Sequence, residues 1–363
     1  MSHFHSLSID RVQPDTRDAI IVSLHLPDEL RSIFAYRQGQ HLTLRAMIDG
    51  EDVRRSYSLC SAVQDECLQI AIKKVSGGLF SGWAHANLKA GMTLDVMPPM
   101  GNFQVPLQPE QSRHYLAFAA GSGITPIYSI IKTSLLAEPH SRVTLVYGNR
   151  ASSTVMLREA LADLKDRFLD RLSIVHVMSR EKQDIDLFNG RIDAEKCRAL
   201  AEQWIAIDDV DVAFLCGPES MTLQVSEALQ ALGMVKEQIK TELFSASAAD
   251  TAAAARRRER ASASSEAGAQ CEVSFIIDGH HHQISMERDR QSLLDAGLAH
   301  GIDIRYACKG GICATCRCKV IEGRVDMDAN HALEDYEIAR GFVLSCQAYA
   351  ASERLVLDFD QDS

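Results

Sequence analysis

No stretch of this chain approaches the roughly 18 consecutive apolar residues that a membrane span requires. The opening residues, "MSHFHSLSID", lack the basic segment and apolar run of a secretion signal. Neither a membrane protein nor a secreted one is expected, and the cytoplasm is the expected location. Positive charge is scarce too. Against 49 Asp and Glu there are 38 Lys and Arg, a net charge of −11, which argues against a general nucleic-acid binder. There is no internal repeat. What is present is ordinary globular material, 46% hydrophobic and 24% charged over 363 residues, enough for about two or three domains. The chain also holds ten cysteines. Without a secretion signal these point to a reducing compartment, where thiols serve metals, catalysis or the core.

The texture changes three times along the chain. The first hundred residues carry short β-branched or alternating runs, "AIIVSLHL", "HLTLRAMI", "RRSYSLCS" and "LQIAIKKV", parted by the turns "YRQGQ", "IDGED" and "VSGG". This spacing predicts a small antiparallel barrel or sandwich. After Asn102 strands and helices alternate: "HYLAFAAG", "TPIYSIIKTSLLAE", "RVTLVYGNR", "LREALADLKDRF", "RLSIVHVMSRE", "AEKCRALAEQW", "DVAFLCGPES" and "TLQVSEALQALG". That alternation predicts a parallel α/β sheet, with ligands outside its C-terminal strand ends. An Ala/Ser-rich linker with a basic knot at Arg256 to Arg260 follows. The last segment reads as a hairpin around Asp278-Gly279, the helix "SLLDAGLAHG", a cysteine loop and the strand "CKVIEGRV". From Cys271 onward 16 Asp and Glu face 9 Lys and Arg, so −7 of the net charge sits in this last quarter. It suits either a basic partner or simple solvation.

Several stretches carry chemistry. In "RRSYSLCS", Arg55 and Tyr57 share one face of a strand and Ser58 takes the other. A guanidinium suits a pyrophosphate and a phenol can stack on an aromatic cofactor. In "SGGLFSGWAHANL", Gly78 and Ser81 stand where a helix begins; that is a phosphate site or merely a turn with an N-cap serine. In "AAGSGITP", Gly121 and Gly123 join a strand to a helix carrying Thr125 and Pro126, the place of a nucleotide phosphate. Cys216 ends a strand in "FLCGPES" and faces the same crevice, or is a small core residue. Arg150 in "YGNR" and Ser179 with Arg180 in "MSRE" end two more strands. A hydroxyl with a guanidinium can hold a ribose 2′-phosphate, which favours NADP. Each of these is also a solvated loop residue on its own merits.

Cys308, Cys313 and Cys316 have the spacing C-x4-C-x2-C, and Cys346 follows in "VLSCQ". This is the plant-type [2Fe–2S] pattern. Gly310 and Gly311 let the backbone wrap closely, and Thr315 can donate to the sulfurs. Structural zinc usually takes two C-x2-C knuckles, and there is one. Zinc and inert thiols remain the alternatives on spacing alone. Cys318 fits neither pattern and reads as a half-buried strand residue; Cys60, Cys67, Cys197 and Cys271 read as structural.

In combination, "RSYS", "GGLFS", "GSGITP", "YGNR", "CGP" and C-x4-C-x2-C…C resemble the ferredoxin–NADP reductase family, in the form fused to a C-terminal plant-type ferredoxin. "AAGSGITPIYSIIKT", "LVYGNR" and "YACKGGICATCRCKVIEGRVDMDANHALEDYEIARGFVLSCQA" are similar to the phenylacetyl-CoA epoxidase reductase subunits within it. The resemblance implies an antiparallel β-barrel FAD-binding domain (1–106), an α/β parallel-sheet NADP-binding domain (107–245), a linker (246–270) and an α+β, β-grasp [2Fe–2S] domain (271–363). It implies that Arg55 binds the flavin pyrophosphate, Tyr57 stacks on the flavin and Ser58 approaches its N5. Gly78 and Ser81 would hold FAD phosphates. Gly121, Gly123, Thr125 and Pro126 would line the nucleotide crevice, with Arg150 at its rim. Cys216 would neighbour the nicotinamide, and Ser179 and Arg180 the 2′-phosphate of NADPH. Glu242 and Phe244 in "TELF" match the segment that ends the reductase part near the flavin, with Ser58, Cys216 and Glu242 as the catalytic group. The implied partner is a di-iron oxygenase docking near the acidic ferredoxin part. Another oxygenase or a hybrid-cluster protein is the nearest alternative, and a redox sensor a distant one.

Overall fold

A computed structural model describes residues 4–65, 67–244, 269–288 and 290–361. The linker expected at 246–270, with its arginine knot, lies outside them except for its last two residues. Contacts divide the chain into two compact units, Phe4–Phe244 and a C-terminal unit within Ser245–Ser363. Among the described residues no helix is long and apolar enough to cross a membrane.

The first unit begins with six antiparallel strands: β1 (His5–Thr16), β2 (Ala19–Leu24), β3 (His41–Ile48), β4 (Glu51–Ser58), β5 (Leu68–Lys73) and β6 (Thr93–Val96). Their order is β4-β3-β6-β1-β2-β5. A bridge from Leu59 to Ile70 joins the two ends of that order and closes a barrel. The β3–β4 hairpin turns on Asp49 and Gly50, at φ 52° and 85°. Two successive positive φ values define the tight turn whose twist matches its strands. Alternate residues point inward, so Leu7, Ile9, Leu42, Leu44, Ile70 and Ile72 form the core. Helix α1 (Leu79–Asn87) buries Phe80 and Ala84 against it. Each large apolar side chain such as Phe80 stabilises by about 1.5–3 kcal/mol on burial.

One buried side chain helps to hold the segment leading out of the barrel, beside Gln38 and Arg113, which donate to the Val105 and Pro106 carbonyls. Glu138 is wholly buried and accepts from the Tyr115 hydroxyl (2.8 Å), the Ser141 hydroxyl (2.7 Å) and the Gln108 N–H (3.0 Å). Beyond it lie five parallel strands: β7 (His114–Ala120), β8 (Arg142–Asn149), β9 (Leu172–Met178), β10 (Val212–Cys216) and β11 (Ile239–Glu242). The order is β11-β10-β7-β8-β9. Helices α2 (Ile124–Ala137), α3 (Arg158–Arg167), α4 (Ala194–Gln203) and α5 (Glu219–Ala231) connect them. The strand order reverses between β7 and β10. Ligands of such sheets bind in the crevice at that switch point.

The C-terminal unit has the sheet β13-β12-β18-β14-β16 and a two-stranded ribbon β15-β17. The strands are β12 (Gln270–Ile277), β13 (His280–Glu287), β14 (Arg317–Glu322), β15 (Val325–Met327), β16 (Phe342–Leu344), β17 (Ala348–Ala350) and β18 (Arg354–Asp358). The expected hairpin forms at Asp278-Gly279, again with two positive φ values (50° and 72°). Only β12 and β18 run parallel. Helix α6 (Leu293–Ala299) lays Leu293 and Leu294 on the core with Phe275, Phe342 and Leu357. A shorter helix, α7 (Asp335–Ala339), lies before β16. Cys318 is not half-buried as its sequence position suggests. It is 1% exposed, because it faces the core between β16 and β18.

Candidate functional site

At the end of β4, Tyr57 packs its ring on Phe80, with centroids 5.7 Å apart and planes at 41°. Arg55 is exposed, and its guanidinium donates to the Arg54 carbonyl at 2.7 Å. Ser58 is buried and donates to Oε2 of Glu242 at 3.3 Å. That contact joins the barrel to the sheet. In the β10–β11 register Glu242 is the partner of Cys216, and in β10–β7 Cys216 is the partner of Ala119. Ser58, Glu242 and Cys216 therefore meet at the switch point. Burial pushes the Glu242 carboxyl up to about 8, the Ser58 hydrogen bond opposing it. Burial, and then Glu242, pushes the Cys216 thiol well up as well. Phe244, two residues beyond Glu242, is 42% exposed.

The glycines on the other side of this crevice are sterically required. A Cβ on Gly123 would stand 2.1 Å from the Cys216 carbonyl oxygen. Gly121 has φ 55°, a conformation that favours glycine. Thr125 is buried and its hydroxyl donates to the Ser122 carbonyl at 3.0 Å. Pro126 is buried in the first turn of α2. These two residues shape the turn from inside. In the α1 loop the helix caps on Gly78, not on a serine. Ser81 is buried; its oxygen accepts the Val75 N–H at 3.1 Å and donates to the Gly78 carbonyl at 3.4 Å. Its hydroxyl is thus committed to its own turn. The ends of β8 and β9 bring Arg150, Ser179 and Arg180 together at the rim. The Arg180 N–H donates to the Arg150 carbonyl at 2.9 Å.

One further cation lies at this crevice. Lys73, the last residue of β5, has Nζ 3.3 Å from where a Gly121 Cβ would be. Burial and then Arg150 push its ammonium below the ordinary lysine range, against Asp18. The only signal in the sequence is its place at the end of a strand, beside a second lysine.

In the C-terminal unit the four cysteines of the spacing come together. Cys313, Cys316 and Cys346 are buried and Cys308 partly so. Cys308 shares hydrogen bonds with Cys313 and Cys346, and Cys346 with Cys316. The loop is strained: Lys309 and Ala314 have φ 51° and 52°, and Gly311 has φ 76°. A Cβ on Gly311 would stand 2.9 Å from the Ala329 carbonyl oxygen. The strain turns backbone donors inward. The Gly310 N–H reaches Cys308 Sγ at 3.3 Å, the Gly311 N–H reaches Cys346, and Thr315 reaches Cys313. Two residues flanking Cys346 tie it to the loop. Ser345 donates to the Cys316 carbonyl (3.0 Å) and Gln347 to the Lys309 carbonyl (2.9 Å). In "VLSCQ" the spacing marks the cysteine alone.

Among the described residues no three or more ligating side chains converge as around a single metal ion. The thiols instead form one run, Cys313–Cys308–Cys346–Cys316, and four cysteines are the ligand set of a two-iron cluster. The Cys308 bond, then burial, pushes the Cys313 thiol well up. A buried thiolate there needs a cation, and the inward N–H groups suit anionic sulfur. The residues fit the cluster.

Residues 7–105 match the family "Oxidoreductase FAD-binding domain", 118–227 match "Oxidoreductase NAD-binding domain" and 275–351 match "2Fe-2S iron-sulfur cluster binding domain". The chain is 44% identical to a component of the 1,2-phenylacetyl-CoA epoxidase of Escherichia coli (strain K12), over 99% of each chain. It is 35% identical to the ferredoxin reductase component of 3-ketosteroid-9-alpha-monooxygenase of Rhodococcus rhodochrous, covering 97% of this chain and 96% of that one. The solved structure of phthalate dioxygenase reductase shares the fold, with a TM-score of 0.57, 21% identity and 98% of each chain covered. An intact type IV self-sufficient cytochrome P450 monooxygenase shares it too, with a TM-score of 0.68 and 21% identity. That match covers 98% of this chain but only 41% of the longer protein. With its closed barrel, its switch-point crevice and its four-cysteine loop, the chain belongs to the ferredoxin reductase family that carries FAD-binding, NAD-binding and [2Fe–2S] domains on one polypeptide.

Proposed function

We propose that this protein is the NADPH-dependent reductase of a cytoplasmic di-iron oxygenase, of the phenylacetyl-CoA epoxidase type in phenylacetate degradation. The observation that carries the redox part is the meeting of Ser58, Glu242 and Cys216 where the barrel abuts the switch point. The partner rests on the 44% identity along the whole chain. When bound, FAD accepts hydride from the nicotinamide, and the cluster carries single electrons onward.

The chain's residues supply position and charge. Arg55 at the barrel's edge answers the flavin pyrophosphate, and Tyr57 gives the ring a flat neighbour. Ser58, whose hydroxyl here donates to Glu242, would offer it toward the flavin N5. Cys216, Glu242 and the backbone at Gly121 and Gly123 form the wall against which the nicotinamide lies, with Thr125 and Pro126 stiffening that wall. Gly78 offers helix N–H groups to the FAD phosphates, and Ser81 keeps the turn in shape. Lys73 and Arg150 supply positive charge for the nucleotide pyrophosphate, and Ser179 with Arg180 for the 2′-phosphate. Phe244 covers the flavin from the end of the unit. Cys308, Cys313, Cys316 and Cys346 ligate the cluster. Domain limits follow at 106, 245 and 270. The oxygenase docks near the acidic C-terminal unit.

Anaerobic titration with NADPH, followed in the visible, tests this reading. Flavin and iron–sulfur bands should both bleach. Cys313→Ala should remove the iron–sulfur band and one-electron delivery to the oxygenase, yet keep NADPH oxidation by ferricyanide. If Cys313→Ala still drives the oxygenase at full rate, the relay is wrong. A second reading, service to a different oxygenase, is favoured by the 35% identity to the ketosteroid monooxygenase component. Reconstitution with each purified oxygenase decides between them.

A further inference from the structure

Strands β8 and β9 end at Asn149 and Met178, but their backbones stay joined beyond the sheet. The Ser179 N–H donates to the Asn149 carbonyl and the Arg180 N–H to the Arg150 carbonyl, both at 2.9 Å. A side-chain clasp then closes the pair of turns. One carboxylate oxygen of Glu181 accepts the Ser152 N–H at 2.8 Å, and the other accepts the Ser152 hydroxyl in a very short bond. Arg150, Ser179 and Arg180 are therefore carried on one piece of structure. The bonds from the Ser152 hydroxyl and backbone hold the Glu181 carboxyl below its ordinary range, so it is ionised.

A full negative charge thus stands one residue from Arg180. An acidic residue beside the adenosine ribose ordinarily suits NADH, because it accepts from the ribose 2′-hydroxyl. It would repel a 2′-phosphate. Here each oxygen is engaged by Ser152, which directs the carboxylate onto the turn after β8.

We propose that the Ser152–Glu181 clasp is a specificity-determining device: it withdraws the acid from the ribose and leaves Ser179 and Arg180 to receive a phosphate. Glu181 is a positioning residue in this scheme. The inference rests on the reading of Ser179 and Arg180 as the 2′-phosphate subsite.

The test uses the full-length holoprotein, its flavin content checked, reducing ferricyanide with NADPH or NADH. The wild-type ratio of kcat/KM for the two nucleotides tests the subsite reading alone, and a preference for NADH sinks that reading. The clasp is tested by how the ratio moves from the wild-type value, wherever that lies. Ser152→Ala frees one carboxylate oxygen and should raise KM for NADPH about fivefold. KM for NADH should not rise, and both kcat values should stay within about twofold. In Ser152→Ala/Glu181→Gln there is no charge to release, and the ratio should return to within about twofold of wild type. A clasp that serves structure alone would lower kcat/KM for both nucleotides in parallel, with no rescue by glutamine. That result, or an unmoved ratio in Ser152→Ala, overturns the proposal.

Discussion

Gly123 has no space for a methyl group. Its Cβ would stand 2.1 Å from the Cys216 carbonyl oxygen, so Gly123→Ala must push β10 away from α2. Overpacking of this kind costs about 1–3 kcal/mol. We expect a lower melting temperature and a raised KM for NADPH, read by flavin-fluorescence melting and steady-state kinetics. Glu242 gives a pH-dependent counterpart. Its folded pKa, about 8, lies above its unfolded value. The native state therefore holds a proton that the unfolded state loses near pH 4.5. Stability falls as pH rises from there to about 8 and is flat beyond. Glu242→Gln removes this slope. Discounted for the solvent that reaches this half-buried group, the variant should gain about 1 kcal/mol over wild type by pH 8. Melting at pH 5 and pH 8 checks it; a gap that widens toward low pH contradicts it.

At the scale of elements, the fold was largely legible. Both Asp-Gly turns, at Asp49 and Asp278, show as hairpins because two adjacent positive φ values leave few alternatives. The strand–helix alternation after Asn102 became the parallel sheet, since its strands are buried on both faces and read as continuous apolar runs. The cysteine loop was legible because its ligands are close in sequence. What escaped depends on residues far apart. Lys73 meets Gly121 across domains, Glu181 meets Ser152 across two strands, and Ser345 reaches back to Cys316. No local pattern encodes such meetings. Cys318 shows the same limit: its place on a strand is legible but not the depth at which the sheet buries it. Glu138 is another such meeting. Removing it in Glu138→Ala takes the acceptor from the Tyr115 hydroxyl and the Gln108 N–H and leaves the Ser141 hydroxyl only the longer bond to the Gln111 carbonyl. We expect a loss of about 3 kcal/mol, measured by urea unfolding.

At the scale of the whole molecule, charge is unevenly shared, with −7 of −11 lying from Cys271 onward. Long-range attraction to a basic partner speeds encounter and is screened by salt. Electron delivery to the oxygenase should slow about tenfold between roughly 50 and 500 mM salt. Ferricyanide reduction by the same preparation should change far less. Equal loss in both assays would place the salt effect in the reductase unit and not in docking.

The seam that closes the barrel starts one residue past Ser58. Leu59 bridges to Ile70, and the Cys60 N–H donates to the Gln69 carbonyl at 2.8 Å. The serine proposed to face the flavin is thus clamped by the same few bonds that keep the cylinder shut. Losing the cofactor and unzipping the seam become one cooperative event. The amide of Cys60 accordingly serves as a clock for it, its deuterium uptake slow while flavin is held and fast once it departs.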